Sequence, residues 1–316
     1  MRAVREGIRW ARLAAAVVAL IVMLAACEHG RREAPSGGAA TTDAVVIASF
    51  NFPESELLAE IYTQAIERAG VRVRREFDLG PRELVQPAQR QGLVDVVPEY
   101  LGAALASITP NRKVDWTDPQ AVLTALRQTV APWGFQVLKP SAAEDQDGFA
   151  VTHSTAGRLH LRTLSELAAI APRLTLGGPT ECPQRPYCLA GLERVYGVRV
   201  KQFVPFDDQA QRATALDEGV IDVAVTFTTD GQLATGRLVL LQDDRHLQPT
   251  DLVTPMVSSR ALSRYGTRLQ NALNAVSAAL DTRSLIFLNW RVGLAGKTIQ
   301  AEARGWLDRH VTLAAG

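Results

Sequence analysis

Apolar positions recur along this chain in two alternating rhythms, short β-branched runs and longer stretches spaced for a helix. Ala44–Ser49 is an unbroken apolar run of the length expected for a buried strand. The stretch from Glu54 to Ala69 then places Leu57, Leu58, Ile61, Ala65, Ile66 and Ala69 on one helical face, and Gly70 follows where a helix-stopping glycine belongs. Val71–Asp78 predicts the next strand, Glu83–Gln91 a helix ended by Gly92, and Val94–Val97 a strand. This β-α-β-α-β order predicts a parallel sheet with right-handed crossovers.

The same grammar returns downstream, with strands at Leu174–Gly177, Val200–Val204 and Ile221–Thr226 and helices at Leu189–Tyr196 and Gln209–Glu218. Gly92-Leu93-Val94-Asp95-Val96-Val97 and Gly219-Val220-Ile221-Asp222-Val223-Ala224 both read as a helix stop followed by an Asp-bearing apolar strand. Two α/β lobes of similar build follow from this. Between them lie a helix at Thr117–Val130, a strand at Phe135–Leu138 and a helix at Leu164–Ala171. Helices at Ser259–Leu280, Ser284–Trp290 and Thr298–His310 close the chain. Polar crossings near 143–148 and 243–249 make the first lobe discontinuous (44–145 and 247–316) and the second an insertion (146–246). The expected ligand site is the crevice at the carboxyl ends of the strands.

The amino terminus sets the compartment. Arg2, Arg5, Arg9 and Arg12 precede an apolar run from Leu13 to Ala26, which is short for a bilayer span and ends in small residues. Residues 1–26 therefore read as a signal peptide. Leu24-Ala25-Ala26-Cys27 resembles the bacterial lipobox, which makes Cys27 the expected lipidation site and places the mature chain on the extracytoplasmic side of the membrane. A plain signal peptide or an N-terminal anchor helix are the alternatives. Residues 27–43, rich in Gly, Pro, Ser, Thr and charge, read as a flexible tether.

Charge and cysteine content narrow the function. The first 26 residues carry four Arg and one Glu, and the remainder carries 30 basic and 32 acidic residues, which argues against a nucleic-acid partner. Cys182 and Cys188 form an even pair once Cys27 is set aside, and in an exported chain a disulfide is expected. Two thiolates with no nearby His make a poor zinc site, and the spacing is not that of a redox Cys-x-x-Cys. No nucleophile motif, phosphate loop or metal-binding His pair occurs. No catalytic residue, metal or cofactor is expected.

Ligand-holding chemistry sits at the strand ends. Phe50, Asn51, Phe52 and Glu54 follow the first strand. Pro98 is expected to end the third, leaving Glu99 and Tyr100 on a loop. Asp147 lies in the first crossing, and Glu181, Asp207, Asp208, Thr228 and Thr229 occupy the equivalent places in the second lobe. Aromatic faces beside carboxylates suit a quaternary or otherwise soft cation.

These motifs carry a family resemblance. Ser49-Phe50-Asn51-Phe52-Pro53-Glu54, Asp95-Val96-Val97-Pro98-Glu99-Tyr100-Leu101-Gly102, Thr228-Thr229-Asp230-Gly231 and Leu238–Asp244 stand in order over most of the chain. Together they resemble the glycine betaine/choline/carnitine (osmoprotectant) substrate-binding proteins of ABC importers. The resemblance implies a type II periplasmic-binding-protein-like α/β fold, with two lobes joined by a two-segment hinge. It also implies a monomer that closes on a small quaternary amine, betaine or related zwitterion and presents it to ABC permease subunits. Departures mark a divergent subgroup. Asp208-Gln209-Ala210-Gln211-Arg212-Ala213 lacks a tyrosine many relatives carry, Asp147-Gly148 replaces an Asn, Pro53 replaces a Thr, and Glu181–Cys188 is a subgroup feature. An envelope two-lobe α/β enzyme and a ligand sensor without a transport role are the rival readings.

Overall fold

The computed structural model describes residues 44–206 and 208–312. The expected signal peptide and tether (residues 1–43, with Cys27) and Asp207 lie outside these residues. The chain from Ala44 onward forms one unit built on two five-stranded sheets.

The first half opens with β1 (Val45–Ala48), α1 (Pro53–Arg68), β2 (Val73–Glu76), α2 (Arg82–Arg90) and β3 (Val96–Tyr100). It continues through α3 (Leu101–Ile108), α4 (Pro119–Val130) and β4 (Phe135–Val137). The chain then builds the second sheet from β5 (Asp147–Thr152), α5 (His153–Leu159), α6 (Leu164–Ile170), β6 (Thr175–Gly178) and α7 (Leu189–Tyr196). β7 (Gln202–Pro205), α8 (Gln209–Asp217), β8 (Val223–Phe227) and β9 (Leu238–Leu240) complete it. The chain returns to the first sheet with β10 (Val253–Ser258), followed by α9 (Ser259–Ala279), α10 (Thr282–Gly293) and α11 (Ile299–His310).

The sheet orders are β2-β1-β3-β10-β4 and β7-β6-β8-β5-β9. Each has a parallel core, β2-β1-β3 and β7-β6-β8, as the alternation of strands and helices predicts. Each is also mixed, because β10 and β5 run antiparallel to both their neighbours. These are the first strands reached after the chain crosses from one sheet to the other, so each enters its sheet from the crossing end. A purely parallel reading fails there.

A second difference concerns Pro98. It lies inside β3 rather than ending it, so Glu99 and Tyr100 finish the strand. Pro98 stands opposite Pro255 of β10. Two residues that lack an N–H face each other, and no ladder donor is stranded between them.

The recurrent Gly-x-x-Asp segments do the same job in both sheets. Asp95 Oδ2 accepts from Val46 N while Asp95 N donates to Val46 O. Asp222 Oδ2 accepts from Thr175 N while Asp222 N donates to Thr175 O. Each aspartate thus pins the start of a neighbouring parallel strand. Asp95 also accepts from Ser258 Oγ and Arg260 Nη2, which ties in β10. Asp95→Ala is therefore expected to cost about 3 kcal/mol in denaturant unfolding, and Asp222→Ala about 1 kcal/mol. Equal losses would contradict this division of labour.

Helix α1 is buried along almost its whole length because α9 and α11 cover the side turned away from the sheet. Of its buried polar residues, Tyr62 Oη bonds Ser277 Oγ and Glu60 pairs with Arg75 at 2.8 Å, while Thr63 Oγ1 has no hydrogen-bond partner. The first turn of this helix carries residues that open the candidate site.

The two crossings run side by side. Glu144 bridges Leu252, Val253 N donates to Ala143 O, and Asp145 N donates to Asp251 O. Glu144 Oε1 accepts from Thr250 Oγ1 and from Asp251 N, and Gln146 Nε2 donates to Pro249 O.

Candidate ligand-binding cleft

A cavity of about 900 Å3 lies between the two sheets, at the ends where β3 and β8 finish. Its walls bring together residues from α1, α2, β3, both crossings, the Cys182–Cys188 loop, the end of β8 and α10.

Pro53 is the first residue of α1, where its missing N–H is no loss. Phe52 and Glu54 flank it, and both line the cavity. Phe52 stacks on Phe50 at 6.0 Å and meets Tyr100 at the same centroid distance. Phe50 lies behind it, 2% exposed, with the Arg82 guanidinium 4.8 Å from its ring centre. Phe52 lines the cavity, and Phe50 fixes the plane on which it rests. Trp116, Tyr187 and Phe227 add further aromatic surface.

The polar wall is acidic. Among the described residues it carries Glu54, Asp145, Asp147, Asp230 and Asp251 against one guanidinium, Arg82. Arg82 is already paired with Glu99 at 2.9 Å. Glu54 is 8% exposed and accepts from Tyr100 Oη at 2.7 Å and Asn289 Nδ2 at 2.5 Å. Thr229 Oγ1 donates to Asp145 Oδ1 at 2.8 Å. Asp251 Oδ1 accepts from Gly102 N and Ala103 N at the start of α3. Loss of hydration raises the pKa of each of these three acids. The Glu54 charge raises Asp145 further, and Asp251 is pushed up to about 7. Asp147 is raised by the same desolvation, against the opposing pull of Arg185 and Arg212.

The two halves touch directly across this cleft. Asn289 Nδ2 donates both to Glu54 and to Thr229 O, at 2.5 and 2.9 Å. Gly231 packs against the backbone of Asn289 and Trp290 so closely that a Cβ would lie 2.5 Å from Trp290 N.

Of the residues singled out from sequence, Phe52, Glu54, Tyr100, Asp147 and Thr229 line the cavity. Asn51 is exposed and Phe50 is buried, and neither reaches the lining. Thr228 Oγ1 accepts from Gln146 N and donates to Glu144 O, which ties the second sheet to the first crossing. Asp208 caps α8 through Gln211 N, and Glu181 pairs with Arg185 on the exposed side of its loop. Cys182 and Cys188 are joined in a disulfide. Arg82, Asp145, Asp251 and Asn289 were not legible as site residues. The lone Asn289 in the apolar run Leu285-Ile286-Phe287-Leu288-Asn289-Trp290 is the one signal that could have marked its helix. Among the described residues no cluster of three His, Cys, Asp or Glu has the geometry of a metal site, and no helix is long and apolar enough to cross a membrane.

Residues 43–309 match the family described as the substrate-binding domain of the ABC-type glycine betaine transport system. The chain belongs to this family. Similar members include the glycine-betaine-binding protein of Pseudomonas aeruginosa, 25% identical over 87% of this chain and 90% of that protein. Another is the glycine betaine-binding protein YehZ of Escherichia coli, 26% identical over 80% of this chain and 88% of that one. Among solved structures, a glycine betaine/carnitine/choline ABC transporter protein superposes with a TM-score of 0.77. It is 23% identical, covering 84% of this chain and 98% of the other. Apo YehZ from Escherichia coli gives 0.74 at 24% identity, covering 84% and 98%. These establish the type II α/β fold. This family consists of extracytoplasmic substrate-binding components of ABC importers, transport proteins rather than enzymes.

Proposed function

We propose that this family member binds a small quaternary-ammonium or betaine-like zwitterion between its two lobes and delivers it to an ABC permease. The observation that carries the ligand class is the cavity wall, where Phe52, Tyr100 and Thr229 adjoin five carboxylates and a single guanidinium already engaged by Glu99. A cation with apolar substituents gains from the aromatic faces and from the acids. Gln146, Gln209 and Gln248 each spend one amide N–H inside the protein, and the second N–H of each can receive the carboxylate or hydroxyl of such a molecule. The two named relatives are described as glycine betaine-binding proteins, which agrees with this chemistry.

In this reading residues 44–145 and 247–316 form one lobe and 146–246 the other, with the paired crossings as the hinge. Closure stabilises the shape the permease accepts, a population shift driven by the ligand's preference for the closed form. The protein works as a monomer, held at the outer face of the membrane by lipid on Cys27. Calorimetric titration with glycine betaine, choline and carnitine tests the ligand class. At least one is expected to bind with one-to-one stoichiometry and a Kd in the micromolar range or tighter. Silence from all three would overturn the proposal.

A further inference from the structure

The segment Asp208–Ala213 holds no tyrosine, yet the second lobe presents one to the cavity. It is Tyr187, which lies immediately before Cys188 in the disulfide loop. This loop leaves the carboxyl end of β6 at Gly178 and returns as α7 at Leu189.

Three restraints converge on Tyr187. Its own carbonyl accepts from Gln248 Nε2 at 2.8 Å, and Gln248 itself lines the cavity from the second crossing. The carbonyl of the preceding residue, Pro186, accepts from Arg194 Nη2 at 3.1 Å. That same carbonyl presses onto Gly191, where any Cβ would collide with it. On the other side, the bridge from Cys188 to Cys182 closes the loop against the core, with both sulfur-bearing residues buried among Leu176, Leu192 and Val225. Leu189 N donates to Cys182 O and seals the same ring. Asp147 lines the same cavity as Tyr187. Tyr187 therefore sits on a restrained backbone, partly buried against the second core, and lines the cavity from the lobe opposite Phe52 and Tyr100.

We infer that Tyr187 is a ligand-contacting residue for the cationic head, and that the Cys182–Cys188 bridge is the device that positions it. The inference rests on the ligand class proposed above. A ring held in place before binding loses little freedom when the ligand arrives, so the bridge acts on affinity as well as on stability. The loop supplies from β6 the aromatic contact that α8 does not provide.

The test is a double-mutant cycle on the full-length chain in detergent, read by titration with choline and with carnitine. Tyr187→Ala is expected to weaken binding about tenfold, and Tyr187→Phe to stay within about twofold of the wild type. Cys182→Ser/Cys188→Ser is expected to weaken binding by a similar factor while the circular dichroism stays that of the folded chain. Combined with Tyr187→Ala, it should cost nothing further in affinity, because the bridge acts through the ring. If the cysteine-free chain does not fold, Arg194→Ala, which removes the bond to Pro186 O, carries the same comparison. Wild-type binding left unchanged by Tyr187→Ala would overturn the inference, as would additive losses in the combined variant. Absence of binding by the wild type itself would instead strike at the ligand class.

Discussion

Gly231→Val is expected to weaken solute binding roughly a hundredfold while leaving each half of the molecule folded. Gly231 begins the turn after β8 and sits against the backbone of α10 from the other half. A Cβ would lie 2.5 Å from Trp290 N and 2.8 Å from the Asn289 carbonyl carbon. Neither atom belongs to a flexible side chain, so nothing local can yield. The overlap is relieved by parting the two halves at this seam, which also stretches the bond from Asn289 to Thr229 O. The variant should show a larger radius of gyration in solution scattering with saturating ligand, and calorimetry should show the affinity loss. A variant that binds like the wild type and scatters like it would remove the close contact from the account of closure.

The second large effect is on pH. Asp251 is raised from an ordinary value of 3.8 to about 7, and Glu54 and Asp145 are raised in the same direction by loss of hydration. For the ligand-free protein, a raised carboxylate contributes stability that is complete below its unfolded-state value. That contribution is lost as the pH climbs towards 7. A cation in the cleft reverses the balance, because it favours the ionised acids and displaces their protons. Affinity for a cation should therefore fall on acidification from pH 7 to pH 5, by up to about tenfold per unit for each proton displaced. Arg82, whose charge opposes the rise at Asp251, is engaged with Glu99, and its own pKa is raised, so it stays charged in this window. Calorimetry in buffers of different ionisation heat should register proton release on binding. A flat affinity profile with no released proton would mean that the cationic group sits away from these acids.

Much of this architecture is written in the sequence pattern itself. The parallel core of each sheet follows from apolar runs punctuated by Gly70, Gly92 and Gly219, which take left-handed backbone just past a helix or turn. The matched Asp95 and Asp222 segments marked two similar halves, and the bonds to Val46 and Thr175 supply the reason. What escaped were the strands that enter after a crossing. β5 begins with the polar pair Asp147-Gly148, and β10 contains Pro255, so neither has the continuous apolar signature of a buried strand.

The site divides along the same line. Residues at the ends of regular strands or in the first turn of a helix, such as Phe52, Glu54, Tyr100 and Thr229, could be placed from pattern. Asp145 and Asp251 meet only because two crossings more than a hundred residues apart in the chain run side by side. Asn289 reaches Glu54 only through the packing of a late helix against the first. Local pattern carries no information about such pairings. Asp208, by contrast, stands at a strand end in sequence yet is drawn off to cap a helix, a local bond that competes with any ligand.

The most direct test of the whole reading is a crystal structure with choline, or whichever probe binds tightest, soaked or co-crystallised. The account predicts an intact molecule enclosed between the two sheets, with its ammonium group against Phe52, Tyr100 and Tyr187 and within reach of Glu54 and Asp145. Density for the solute outside this cleft, or for a chemically altered product within it, would contradict it.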